Sequence, residues 1–477
     1  MFAPALFFTH VSDREIHQLG ELTMSEGGLG TPTRHPIDWN DADFYDEAKL
    51  ERELRRIFDI CHGCRRCFAL CDSFPRLFDL IDNSDTGELD SVDSQDFKPV
   101  VDACVLCDMC FMTKCPYVPP HEFNLDFPHL MLRSRAVEMK KGMVPFGDHQ
   151  LTETDRNGHL AGTLPGLANW ASDTKNSATR GLLQMVADVH AEAELPKFHG
   201  KTFTARAKDG APAVNAEAPA WGRKAVLYAT CFVNYNNPGI GQAAQAVLAR
   251  NGIETAVGYP GCCGMPQLEH GDLARVADNA RRTAAYFKTW IDDGFDVIAL
   301  TPSCTLMMKF EWPLIVPAAD PAYEDVTRLA AATRDISEFI VDISTKEGLA
   351  PGLEPVPGGI TLHLACHARA QNLGPKAAEM LKLIPEAEVL VIERCSGHGG
   401  SWGIKKDNYQ VALKVGMPVA RRAIENSTAY VASECPLAGK HVVQGMAALD
   451  ADKTQVTRAL HPVEILARAY GIESDDT

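Results

Sequence analysis

Fifteen cysteines are spread along a 477-residue chain at spacings that could do chemistry. Eight fall in two tight runs, Cys61-x2-Cys64-x2-Cys67-x3-Cys71 and Cys104-x2-Cys107-x2-Cys110-x4-Cys115. Thiolates are soft, anionic donors suited to iron and zinc, and two-residue gaps let one bend of chain present three of them to one inorganic group. Seven more, Cys231, Cys262, Cys263, Cys304, Cys366, Cys395 and Cys435, follow in the second half. Disulfides are the other use of so many cysteines, but they suit small exported domains. A long chain that groups its cysteines as ligands points instead to metal binding in a reducing cytosol.

The two runs carry the ligand pattern of bacterial-type [4Fe–4S] ferredoxins, in which the fourth cysteine of each run serves the other cluster. Two cubes are therefore expected, one on Cys61, Cys64, Cys67 and Cys115, the other on Cys104, Cys107, Cys110 and Cys71. Two departures stand out. The second run has one extra residue before its last cysteine, and Cys71 is not followed directly by proline. Neither removes a ligand. Structural zinc is the alternative, but zinc favours paired knuckles giving four ligands in total, whereas each run here brings three grouped cysteines and a fourth.

These motifs need elements to hold them. Leu50, Leu54, Ile57 and Phe58 fall at helical spacing and predict a helix over 40–60 that leads into Cys61. A turn-rich acidic stretch separates the runs. Over 121–220 the pattern is weak: Leu182, Leu183, Val186 and Val189 suggest a helix, and small residues and prolines after Lys208 read as a linker. Beyond Trp221 strands and helices alternate, which predicts α/β layers around a largely parallel sheet. Strand-like runs end near Cys231, Cys262-Cys263-Gly264 and Cys304, and the same series recurs at Cys366, Cys395-Ser396-Gly397 and Cys435. The offsets of 135, 133 and 131 residues between matching cysteines point to an internal duplication.

The second half resembles the CCG cysteine-rich domain of heterodisulfide reductase, also found in iron–sulfur subunits of anaerobic glycerol-3-phosphate dehydrogenase, glycolate oxidase and lactate-utilisation systems. The resemblance rests on Tyr259-Pro-Gly-Cys-Cys-Gly-Met-Pro-Gln267, His363-Leu-Ala-Cys-His367 and Cys395-Ser-Gly-His-Gly-Gly-Ser-Trp-Gly403, and covers roughly residues 50–470. It implies an N-terminal helical two-cluster ferredoxin-like domain followed by two duplicated, pseudo-symmetric α/β units. The expected divisions are a disordered or mis-started segment at 1–39 (Met24 being an alternative start), the ferredoxin-like domain at 40–135, a connecting region at 136–220, and cysteine-rich units at 221–355 and 356–477. The full family pattern has five cysteines per unit, able to bind a non-cubane iron–sulfur cluster. The first unit keeps Cys231, Cys262, Cys263 and Cys304. The second keeps Cys366, Cys395 and Cys435, with Ser396 and Ala438 in place of two cysteines. That leaves three readings for it: an iron–sulfur cluster with an open position, a zinc site completed by His367 or His398, or a degenerate unit. The glycines after Cys395 also permit a weaker, phosphate-cradling reading.

Bulk properties exclude other classes. A net charge of −17 disfavours wrapping of nucleic acid, and no apolar run approaches the roughly 20 residues needed to span a bilayer. No flavin or nicotinamide motif is evident. The resemblance therefore implies a cytoplasmic oxidoreductase subunit, relaying single electrons between a separate flavoprotein dehydrogenase and a quinone or soluble carrier. Peripheral membrane contact is compatible with this. Disulfide reduction of the heterodisulfide reductase kind, and electron donation to a peroxide-reducing iron protein, are the competing functions.

Overall fold

The computed structural model describes residues 32–450 and 456–472. The expected lead-in at 1–39 and the alternative start at Met24 lie, up to residue 31, outside the described residues. Its last part is held in the fold: the Thr33 N–H donates to the Pro119 carbonyl and the Ile37 N–H to that of Leu314.

The helix leading to the first cysteines spans Glu47–Cys64. Asp46 caps it by accepting the Lys49 N–H, and Leu50, Leu54, Ile57 and Phe58 form its buried stripe. It ends at Arg65, whose left-handed backbone turns the chain back (φ 53°) and leaves Cys61 and Cys64 in the last turn. Ser73–Asp82 and Phe127–Lys140 are the other main helices of this region. Phe58, Phe97 and Phe127 pack at its centre. The extra residue of the second run is absorbed by a π-helical turn over Cys110–Lys114, in which the Cys115 N–H reaches back five residues to the Cys110 carbonyl.

The connecting region is more regular than its composition suggests. It forms helices Phe146–Thr152, Thr154–Thr163, Pro165–Ala171 and Ser177–Ala187. Gly158 lets one of them press against the second half, since a Cβ there would lie 2.4 Å from the Tyr235 ring.

Among the described residues seven strands follow, in two parallel sheets. β1 (Lys224–Tyr228), β2 (Glu254–Gly258), β3 (Asp296–Ala299) and β4 (Thr333–Asp335) are ordered β2-β1-β3-β4. β5 (Ile360–His363), β6 (Val389–Ile392) and β7 (Tyr430–Ser433) are ordered β6-β5-β7. Every pairing among them is parallel. The central strands β1 and β5 are buried almost throughout, as expected where helices cover both faces of a sheet. One hydrophobic core joins the sheets, with Ile298 and Phe339 from the first half meeting Ile360, Leu362 and Ile465 from the second. Another runs from Leu50 through Phe127 to Phe287 and Trp312, binding the N-terminal helices to the first sheet.

Strand ends refine one sequence pairing. Cys304 is the third residue of a helix opening at Pro302, and Ala438 holds that place after Pro436. Cys435 instead sits where Thr301 stands, so Cys304 and Cys435 are not equivalent positions despite their similar offset.

Candidate metal centres between the sheets

In both of these parallel sheets the first strand lies between the next two, and ligands gather beyond the carboxyl ends of strands at such a reversal. All seven cysteines of the second half lie there. Cys231 follows β1, Cys262 and Cys263 follow β2, Cys304 follows β3, and Cys366, Cys395 and Cys435 follow β5, β6 and β7. The two sets face one cavity of about 590 Å³, which Cys107 of the N-terminal region also lines.

Within the first set the Cys231 and Cys262 sulfurs are 3.9 Å apart. Hydrogen bonding among Cys231, Cys262 and Cys263 drives the Cys231 and Cys263 thiols well up, with burial adding to the effect, and drives Cys262 well down. The Gly264 N–H points at the same sulfur at 3.5 Å, and Gly264 holds a left-handed backbone (φ 91°) to do so. Trp312 Nε1 donates to the Cys263 carbonyl at 3.1 Å, and the Tyr228 hydroxyl to the Gly261 carbonyl at 2.7 Å. Asp155, from the connecting region, accepts the Cys262 N–H at 3.0 Å and the Tyr259 hydroxyl. Burial raises its carboxyl above the usual range.

In the second set burial raises the Cys366 and Cys395 thiols and pushes Cys435 up to about 11. The Gly397 N–H points at the Cys395 sulfur at 3.3 Å. A Cβ on Gly397 would fall 2.0 Å from the Ala412 carbonyl oxygen. This glycine is thus required by the close approach of helix Tyr409–Asn426, which accounts for it without a phosphate. The histidines divide in two. His367 is engaged at both ring nitrogens, by Ser303 Oγ at 2.8 Å and the Leu106 carbonyl at 3.3 Å. His363 is likewise engaged by Ser433 and the Arg394 carbonyl. Nε2 of His398 and of His441 is buried without a partner, and burial pushes His398 down to about 3.

In the N-terminal region Cys61, Cys64, Cys67 and Cys115 line one small cavity. Burial drives Cys61 up, with Cys115, Cys67 and Cys64 as its charged neighbours. Cys110 is raised by burial and then by Cys107, Cys104 and Cys71. Cys61, Cys64, Cys67 and Cys115 thus stand together, and Cys110 stands near Cys107, Cys104 and Cys71, with Cys67 next. Cys107 is also within electrostatic reach of Cys366 and Cys395, so the thiols run from the N-terminal region to the inter-sheet cavity. Among the described residues, no three His, Cys, Asp or Glu side chains are gathered tightly enough for a single metal ion. Donors around a cube stand farther apart than donors around one ion.

Some residues near these groups carried no sequence signal. Arg34 is buried among Asp108, Asp126 and Glu311, at 2.7, 2.9 and 2.8 Å, and stacks over Phe111. His129 lies 3.2 Å from Glu311. This network ties the start of the described residues to the Cys107–Cys110 loop and to the helical turn Met307–Glu311 of the second half. Neither it nor the Asp155 contact leaves a local motif, because the partners are distant in sequence.

A sheet order of this kind, with cysteines beyond six of the seven described strands, defines a cysteine-rich α/β scaffold. Residues 225–309 and 360–438 match the model of the CCG cysteine-rich domain, so the chain carries that domain twice. It is similar to a subunit of the anaerobic glycerol-3-phosphate dehydrogenase of Escherichia coli, 27% identical over 328 residues, covering 67% of this chain and 76% of that protein. It is similar also to lactate utilization protein A of Geobacillus thermodenitrificans, 28% identical over 194 residues, covering 38% and 75%. A subunit of the fumarate reductase (CoM/CoB) of Methanothermobacter marburgensis is 26% identical over 261 residues, covering 54% and 47%. The relatives thus include subunits of oxidoreductases. Among the described residues no helix is long and apolar enough to cross a membrane.

Proposed function

We propose that this chain is the iron–sulfur subunit of an oxidoreductase, relaying single electrons between a flavoprotein dehydrogenase subunit and an acceptor such as a quinone or soluble carrier. The proposed division is a di-cluster ferredoxin-like domain at 40–135, a connecting region at 136–220, and two duplicated cysteine-rich units at 221–355 and 356–477. Two [4Fe–4S] clusters would occupy the crossed sets, Cys61, Cys64, Cys67, Cys115 and Cys71, Cys104, Cys107, Cys110. A third cluster would lie on Cys231, Cys262, Cys263 and Cys304, and a further site on Cys366, Cys395 and Cys435. The carrying observation is that Cys107 lines the same cavity as all seven cysteines of the second half. That is the arrangement a relay needs. The buried donors suit such groups, because ligation by iron relieves the burial that holds the bare thiols protonated.

The cavity also favours a second reading. Its volume of about 590 Å³ between two thiol sets has room for a small substrate, as disulfide reduction would require. The two readings differ in what the cavity binds. Full-length protein purified anaerobically is expected to hold at least eight iron atoms and to give coupled signals from reduced clusters in electron paramagnetic resonance. Near-zero iron with stoichiometric zinc would overturn the relay. A radical-like signal that forms on oxidation only with a thiol present would favour disulfide chemistry.

A peripheral membrane contact is supported by the surface of the connecting region. Phe146, Leu160, Leu164, Leu167, Trp170 and Met185 are each more than half exposed there, far more apolar surface than one short segment normally leaves in water. Residues 140–209 carry nearly equal numbers of cationic and anionic side chains in an otherwise acidic chain, so this face is not repelled by an anionic bilayer.

A further inference from the structure

The second cysteine-rich unit has three thiols where the first has four. Ser396 stands after Cys395 as Cys263 stands after Cys262, and Ala438 holds the helical position of Cys304. Both substitutions remove a donor from the wall of the shared cavity. A four-cornered cluster on Cys366, Cys395 and Cys435 would be left a donor short.

An imidazole lies close in sequence to each gap. His398 is two residues beyond Ser396. His441 is three residues beyond Ala438 in helix Pro436–Asp450, which places both on one helix face. The two rings are 6.2 Å apart, centre to centre, and both line the cavity with the three cysteines. His441 is 6% exposed. Nε2 of each ring is buried with no hydrogen-bond partner. A buried polar atom left unpaired costs about 1–3 kcal/mol, so an orphan of this kind marks a missing partner. His363 and His367 line the same cavity, yet both of their nitrogens are satisfied by protein. Among the histidines that line the cavity, orphaning is thus confined to the two beside the lost cysteines.

The Ala412 carbonyl lies beside the His441 ring. A ring N–H turned toward it leaves Nε2 with its lone pair free, and histidines that ligate metals are held in this way by a carbonyl at the other nitrogen. We infer that His441, with His398 beside it, supplies the one imidazole donor that completes the second unit's three-thiolate metal site. The inference rests on the reading of Cys366, Cys395 and Cys435 as an iron–sulfur site. A neutral imidazole brings less negative charge than a thiolate, and exchange of cysteine for histidine raises a cluster's potential. The second unit would then be an electron sink relative to an all-cysteine site.

The test uses the full chain, purified anaerobically from cells fed ¹⁵N-histidine, and pulsed electron paramagnetic resonance. A signal abolished by Cys435→Ser is expected to carry strong coupling to a directly bound nitrogen that changes with the label. His441→Ala is expected to remove that coupling. His441→Cys should remove it while keeping the iron, and should lower the potential of that signal alone. Unchanged signals from the N-terminal clusters would report that each variant is folded. A Cys435-dependent signal with no histidine coupling, or coupling that survives loss of both His441 and His398, would overturn the ligand assignment and leave the cluster reading standing. If Cys435→Ser removes neither iron nor signal, the cluster reading of this unit fails, and the assignment with it.

Discussion

Asp155 accepts the backbone N–H of Cys262 at 3.0 Å across 107 residues of chain. The same carboxylate accepts the Tyr259 hydroxyl, so a helix of the connecting region fixes both sides of the Pro260-Gly261 turn that presents the paired cysteines. Asp155→Ala should destabilise the fold by about 1–3 kcal/mol, since it strands two buried donors. Chemical unfolding followed by circular dichroism measures this. Asp155→Asn keeps an acceptor and removes the negative charge. It should therefore raise the reduction potential of a cluster on Cys262 and Cys263 while leaving the unfolding midpoint nearly unchanged, and an unmoved potential would count against the contact as a tuning element.

Cys263→Ser should abolish the signal of the first cysteine-rich unit and spare the N-terminal pair. Those two regions draw on different cysteines, although Cys107 meets both at the cavity. Loss of every signal at once would show that the groups are not separable.

Arg34 is expected to lock the start of the described chain onto both regions. Arg34→Ala leaves Asp108 and Glu311 buried without their cation, at a cost of about 3–5 kcal/mol. The unfolding midpoint of the variant tests this. A change below about 1 kcal/mol would mean that water or His129 compensates.

Glu311 gives that network a pH dependence. Burial opposes its ionisation, but His129 and Arg34 outweigh burial and hold its carboxyl at about 2, against an ordinary 4.5. A carboxyl depressed on folding contributes stability that is full above pH 4.5 and is lost as pH falls through about 2. The stability difference between wild type and Glu311→Gln should therefore be largest near neutrality and shrink on acidification below pH 4.5. A difference that stays constant down to about pH 2.5 would refute it.

The exposed apolar face of the connecting region should carry the chain to lipid. Flotation with vesicles of mixed zwitterionic and anionic lipid is expected for the wild type, and about tenfold weaker binding for Leu164→Glu with Trp170→Glu, each of which places a charge where an apolar side chain meets the interface. Equal flotation of both proteins would move the contact elsewhere.

Residue types and short-range spacing alone determined much of this protein. The two N-terminal cysteine runs, the helix into Cys61 and the strand–helix alternation with cysteines at strand ends were all legible, because ligand spacing and hydrophobic period are local properties. Ser396 and Ala438 were visible as gaps for the same reason. The tertiary structure alone decided that both sheets turn their cysteine ends toward one cavity, that Cys107 joins them there, and that a connecting region with little pattern delivers Asp155 to Cys262. It also decided which histidine nitrogens are satisfied: His367 spends both on Ser303 and Leu106, whereas His441 keeps one unpaired. Those outcomes depend on contacts between residues far apart in the chain. Such contacts are set by how buried faces pack, and no local period records them.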